Sequence, residues 1–168
     1  MAEAKPVTFS RTQIILHWTV VALIAFQFLA HDGMEHLWRA SQRGGTVSAS
    51  DTNLAYLHIF CGCLVLMLVL WRLVLRLTRG APVAPEAEPV ALRVVAALSH
   101  FALYALIIVL PVSGLAAWFF GVAPAAGVHL IAKTVLLPLI FLHAAGALAH
   151  HFIWKTDVLK RMLVPQQG

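Results

Sequence analysis

Residues 129–154 read HLIAKTVLLPLIFLHAAGALAHHFIW, and this stretch decides the fold. It is long enough to cross the roughly 30 Å hydrocarbon core of a bilayer, which takes about 20 apolar residues in a helix. Backbone N–H and C=O groups find no water in hydrocarbon, so a spanning segment of this kind must be helical. The alternating apolar and polar pattern of a membrane barrel strand is absent. Pro138 lies inside the stretch and reads as a kink, which a membrane bundle tolerates. Two imidazoles, His129 and His143, interrupt the apolar surface fourteen residues apart.

Three further segments of the same kind lie upstream. They run from about Thr12 to Ala30, about Leu54 to Leu75 and about Val94 to Phe120, the last containing Pro111. Of the 168 residues, 61% are hydrophobic and 11% charged, against the roughly 25% charged residues of a soluble domain. Lipid must therefore cover much of the surface. The expected fold class is all-α, an integral membrane bundle of four helices in a single domain spanning residues 1–168. Gly62, Gly114 and Gly146 offer places where helices, or a flat ligand, approach closely. The stretch from Gly80 to Pro89, GAPVAPEAEP, reads as a Pro-rich loop. No internal repeat is present. Cys61 and Cys63 point to different faces of one helix, so no disulfide joins them, and they read as small buried hydrophobes.

The polar stretch from Met1 to Ser10 precedes a full-length apolar run with no small-residue cleavage site, so the first span is expected to remain as a signal anchor. The net charge of +5 does not point to nucleic acid, because the basic residues sit at the ends of the apolar runs. Lys5, Arg11, Arg72, Arg76, Arg79, Arg93, Lys155, Lys160 and Arg161 fall on one side if there are four crossings. The other side has Arg39 and Arg43, diluted by Asp32, Glu35 and Asp51. The positive-inside rule then predicts both termini in the cytoplasm.

Nine histidines are many for a membrane chain of this size, and an ionisable residue within a bilayer marks a functional site by default. Fourteen residues advance a helix by about 21 Å and nearly four full turns, so His129 and His143 share one face near opposite membrane surfaces. That arrangement suits two porphyrins stacked along a bundle. Iron in a b-type electron carrier takes two axial imidazoles, so each of these residues needs a partner on another helix at matching depth. His17, early in the first span, meets His143 on the cytoplasmic side. His58, early in the second, meets His129, which begins the fourth span on the periplasmic side. With no C-x-x-C-H motif, any haem is held without thioether bonds.

Arg72 lies fourteen residues after His58 and so faces the same way at the depth of the other site. There it could pair with haem propionates or snorkel to the interface. His31 is fourteen residues from His17 and is an alternative to His58, although Asp32 and Gly33 suggest a helix end there. His100 is a further candidate for an axial ligand or a quinone contact. His150 and His151 are expected at the cytoplasmic interface, and His36 in a periplasmic loop at the surface. Lys133, one turn after His129, could pair with a propionate, attract an anion or snorkel.

RTQIILHW around His17, LHIFCG at His58, LPVSG in the third span and LHAAGALAHHFIWK from Leu142 resemble the prokaryotic cytochrome b561 family. The resemblance covers essentially the whole chain, and its last segment is the most specific. It implies a four-helix di-haem b protein of the bacterial inner membrane, with axial ligands at His17, His58, His129 and His143. It also implies electron exchange with ubiquinone, and in some members a superoxide oxidase activity that takes an electron from periplasmic superoxide.

Three readings of function follow. The first is a free-standing quinone-linked oxidoreductase, in which Lys133, Arg39 and Arg43 form a cationic mouth for superoxide. The second is a cytochrome b anchor subunit relaying electrons between a partner dehydrogenase or hydrogenase and the quinone pool. The third is a histidine-lined transporter or metal channel, which the axial-ligand spacing and the absence of carboxylates within the four spans disfavour.

Overall fold

The computed structural model describes residues 8–83 and 88–165; Lys5, and residues 84–87 of the Pro-rich loop, lie outside them. Among the described residues the chain is all-helical, with α1 (Arg11–Leu29), α2 (Asp32–Arg43), α3 (Ala49–Arg79), α4 (Val90–Phe120), α5 (Ala123–Phe152) and a short 3-10 turn, Lys160–Met162. Four of these, α1, α3, α4 and α5, are long and apolar enough to cross a membrane.

Local chemistry sets where each helix starts. Ser10 and Gln13 form a capping box at the head of α1, satisfying donors that the first turn leaves free. The Ser48 hydroxyl accepts from the Asp51 N–H to start α3. Gly121 ends α4 in the left-handed region, with φ 64°, and Val122 leads directly into α5. Its start departs from the sequence reading, which began the last span at His129. Pro124 and Gly127 look like turn residues in a string, yet proline suits a helix's first turn, where its missing N–H has no partner to lose. His129 therefore sits well inside the helix rather than at its end.

The second departure is α2. The segment around His36 reads as a loop in sequence, but it forms a helix whose polar side carries Glu35, His36 and Arg39 and whose other side meets the bundle. Trp38 packs near Trp118 of α4, ring centres 6.1 Å apart. Its surface location holds for His36, which pairs with Asp51 at 3.2 Å.

α1 packs on α3, α3 on α4 and α4 on α5, with α2 laid against α3. The interior is thin, with Val20, Val69 and Leu136 the most enclosed large side chains. Phe60, Phe101, Ile131 and Phe141 point outward, as expected where hydrocarbon replaces water.

One end of the bundle gathers the start of α1, the α3–α4 connection and the segment after α5. There the Gln13 side chain donates to the Gly80 carbonyl at 3.2 Å, Trp18 Nε1 to the Met162 carbonyl at 2.9 Å, and Arg161 to the Val83 carbonyl at 2.7 Å. Arg161 also pairs with Asp157, at 2.9 Å. We term this the terminal end and the opposite one the α2 end.

Gly33 fixes α2 to the bundle. A methyl group added there would stand 2.6 Å from Leu54 Cβ and 2.8 Å from the Asp51 carbonyl oxygen, and backbone cannot yield as a side-chain tip does. Gly33→Ala should therefore loosen α2 at a cost of about 1–3 kcal/mol, the usual penalty for overpacking. Limited trypsinolysis should cut after Arg39 and Arg43 faster than in the parent protein, while cleavage at the terminal end keeps its rate.

Candidate functional site

At the α2 end the helices enclose an apolar cavity of about 580 Å³, within the range of about 300–1,000 Å³ typical of cofactor and ligand sites. His58 of α3 and His129 of α5 face each other across it, ring centres 6.4 Å apart. His129 Nδ1 lies 2.8 Å from the Leu110 carbonyl oxygen of α4. A carbonyl only accepts, so Nδ1 carries the proton and Nε2 keeps its lone pair. The Ser113 hydroxyl donates to the same oxygen, 3.0 Å away. Gly114 lets the ring lie this close to α4, since a Cβ there would be 3.1 Å from His129 Nδ1. Gln27 of α1 donates to the His58 carbonyl at 2.9 Å, while His58 Nδ1 is buried without a hydrogen-bond partner.

Two imidazoles ligating one metal ion from opposite sides bring their ring centres to about 6.3 Å, because metal–nitrogen bonds run about 2.0–2.1 Å. The His58–His129 spacing of 6.4 Å matches that requirement. A donor set of two imidazoles in an apolar slot, one with its tautomer fixed through a carbonyl, fits haem iron.

The alternative ligand His31 lines the same cavity but is engaged elsewhere. Its Nδ1 lies 2.9 Å from the Phe28 carbonyl, and Nε2 is 3.4 Å from Asp32 and 4.0 Å from Glu35. Lys133 lines the wall one turn beyond His129, within electrostatic reach of His58 and Glu35. Arg39 is also on the wall and forms an ion pair with Glu35. That hydrogen bond and the charge of Arg39 hold the Glu35 carboxyl below its usual range. Arg43 is not on this wall; it borders a separate shallow pocket with His36 and Asp51. The three cations expected at one mouth thus divide into two on the cavity and one apart.

Toward the terminal end, His17 of α1, His100 of α4 and His143 of α5 converge. His100 and His143 meet edge to face with ring centres 5.2 Å apart. His17 lies within electrostatic reach of Arg72, His143 and His100, and its Nδ1 is buried with no hydrogen-bond partner among the described residues. Arg72 and Arg76 of α3 both lie against the Tyr104 ring of α4, each guanidinium carbon 5.9 Å from its centre. Sequence reasoning missed Arg76 and Tyr104, although two spacings carried the signal: Arg72 to Arg76 and His100 to Tyr104 are each one helical turn. His150 is 3.2 Å from Glu88 and 3.1 Å from the Thr156 hydroxyl, and so belongs to the clasp at the terminal end; His151 is exposed.

The profile of the prokaryotic cytochrome b561 family matches residues 8–165. The chain is 33% identical to cytochrome b562 of Cereibacter sphaeroides, covering 94% of this chain and 96% of that one. It is 28% identical to the probable superoxide oxidase CybB of Yersinia pestis, covering 95% and 98%, and 29% identical to cytochrome b561 homolog 1 of Escherichia coli, covering 92% and 96%. With four apolar spans and the facing His58–His129 pair already in place, this chain belongs to the prokaryotic cytochrome b561 family and is a multi-pass membrane haem b protein.

Proposed function

We propose that the chain holds two haems b and passes electrons between them and a membrane quinone, with periplasmic superoxide as the donor. The observation that carries the haem reading is the His58–His129 pair, set 6.4 Å apart across an apolar cavity with His129 Nδ1 anchored on the Leu110 carbonyl. His17 and His143 form the second pair, at the terminal end, and Arg72 stands beside them for the propionates. Haem b between two imidazoles takes up and releases one electron with its coordination saturated. The protein's part is to prepare the nitrogens: the Leu110 carbonyl holds the proton on Nδ1 of His129 and leaves Nε2 with its lone pair for a metal, and Gly114 makes room for that pose.

The terminal end carries Arg11, Arg79, Arg93, Lys155 and Lys160, which supports its placement on the cytoplasmic side of the bacterial inner membrane. The α2 end then faces the periplasm. Lys133 and Arg39 on the cavity wall give that end positive groups facing an arriving superoxide anion. The likeness to a probable superoxide oxidase supports the same reading. The alternative, an anchor subunit for a partner dehydrogenase, is separated from it by whether the isolated chain turns over.

Acidic acetone should release two haems per chain, counted by pyridine haemochrome. His17→Ala and His143→Ala should each lose one and the same haem, while His58→Ala and His129→Ala lose the other. Retention of the terminal-end haem in His17→Ala, with its loss in His100→Ala, would move that ligand to His100. Gly114→Ala should perturb only the haem that His58→Ala removes, seen as a shift of its Soret and α bands, because the new methyl presses on the His129 ring. An unchanged spectrum for Gly114→Ala would separate His129 from the iron.

For the donor, stopped-flow reduction by superoxide should slow as ionic strength rises, since the Debye length falls from about 10 Å at 0.1 M to about 3 Å at 1 M. Lys133→Glu should slow it further, while dithionite still reduces both haems and a ubiquinone analogue reoxidises them. Reduction only by an added dehydrogenase would favour the anchor subunit instead.

A further inference from the structure

Arg72 and Arg76 are one turn apart on α3, inside a span, and share a single neutral ring as neighbour. Like charges at this spacing repel on a helix, and removal from water sharpens the cost. Contact with the face of Tyr104 offsets part of it through cation–π attraction. Among the described residues neither guanidinium has a carboxylate within salt-bridge distance. The buried acid at this end, Glu88, is taken by His150 at 3.2 Å. Two cations held side by side without an anion form a site for a ligand with two negative groups. Arg72 is also within electrostatic reach of His17, His100 and His143, and Arg76 of His100.

The α2 end has the opposite balance. Arg39 is already neutralised by Glu35, Asp32 lies next to His31, and Lys133 is the remaining cation on the cavity wall among the described residues. Positive charge near a redox centre favours its reduced form, because reduction adds one negative charge. The two ends should therefore differ in electron affinity.

Resting on the two-haem reading above, we infer that Arg72 and Arg76, gathered on the ring of Tyr104, form a paired-cation seat for the two propionate carboxylates at the terminal end and make that site the more easily reduced of the two. An electron arriving at the α2 end then moves downhill along the bundle. One site is oxidised, the other is reduced, and no atom or proton changes place. Tyr104 acts as a positioning residue, working only through the two guanidiniums.

The test is a spectroelectrochemical titration of the purified holoprotein in lipid-free detergent, with the terminal-end haem identified by its absence in His17→Ala. In the parent protein that haem should have the higher midpoint. Arg76→Gln should shift its electron occupancy at least tenfold toward the oxidised form, about 59 mV for one electron, and leave the other haem unchanged. Tyr104→Leu should shift it in the same direction with both arginines intact, and Tyr104→Phe, which keeps the ring, should not. If Arg76→Gln retains no terminal-end haem, Arg76→Lys decides: recovery of haem and potential supports the seat, and continued loss overturns it. Midpoints unmoved by Arg76→Gln, or a lower midpoint at the terminal end of the parent, overturn the proposal while leaving two haems in place. A shift seen only after adding anionic phospholipid assigns the pair to lipid headgroups and also overturns it. A single haem per chain would instead remove the two-site reading on which it rests.

Discussion

In hydrocarbon, a polar group without a partner has no water to fall back on, and most of this structure follows from that constraint. It makes the spans helical, so that each backbone bond closes within its own segment. It also explains the crowding at the Leu110 carbonyl. The oxygen accepts from the side chains of both Ser113 and His129. The groups still unpartnered then become informative. Among the described residues, Nδ1 of His17 and Nδ1 of His58 are such groups, one in each of the two regions where histidines converge. A buried ring nitrogen without a partner in a native structure calls for an explanation, and in both regions it sits among other imidazoles.

The four spans were legible because a membrane imposes one length and one composition on every crossing. Histidine spacing was legible for a related reason: helical periodicity converts fourteen residues into a fixed depth and a shared face. That argument placed His58 opposite His129 without any packing information. It was blind where the signal was not periodic. α2 went unseen because twelve residues rich in charge give no hydrophobic run, and only its contact with α3 at Gly33 and with Trp118 reveals what it does. The start of α5 was misplaced because Pro124 and Gly127 break helices in water but not at a helix's first turns. For Arg76 and Tyr104 the one-turn spacings from Arg72 and His100 gave only a shared face on each helix; that one ring meets both arginines is a relation between α3 and α4, which no single segment encodes.

α2 also changes the character of the cavity beneath it. Without this helix the His58–His129 slot would open broadly at its end of the bundle. With it, Met34, Glu35, Trp38 and Arg39 form part of the wall. An apolar slot for a flat group thus acquires a polar rim containing both signs of charge. The rim is built from a short helix outside the spans, so its chemistry varies independently of the packing that holds the histidines.

The hydrogen bond from Trp18 to the Met162 carbonyl joins residues 144 positions apart. A growing chain threads α1 into the bilayer long before Met162 leaves the ribosome, so during synthesis this face of α1 has no protein neighbour at that end. The contact also closes a long loop, which is among the slower events in folding. Biogenesis therefore has a built-in order: the latch at this end stays open until translation has passed the last span.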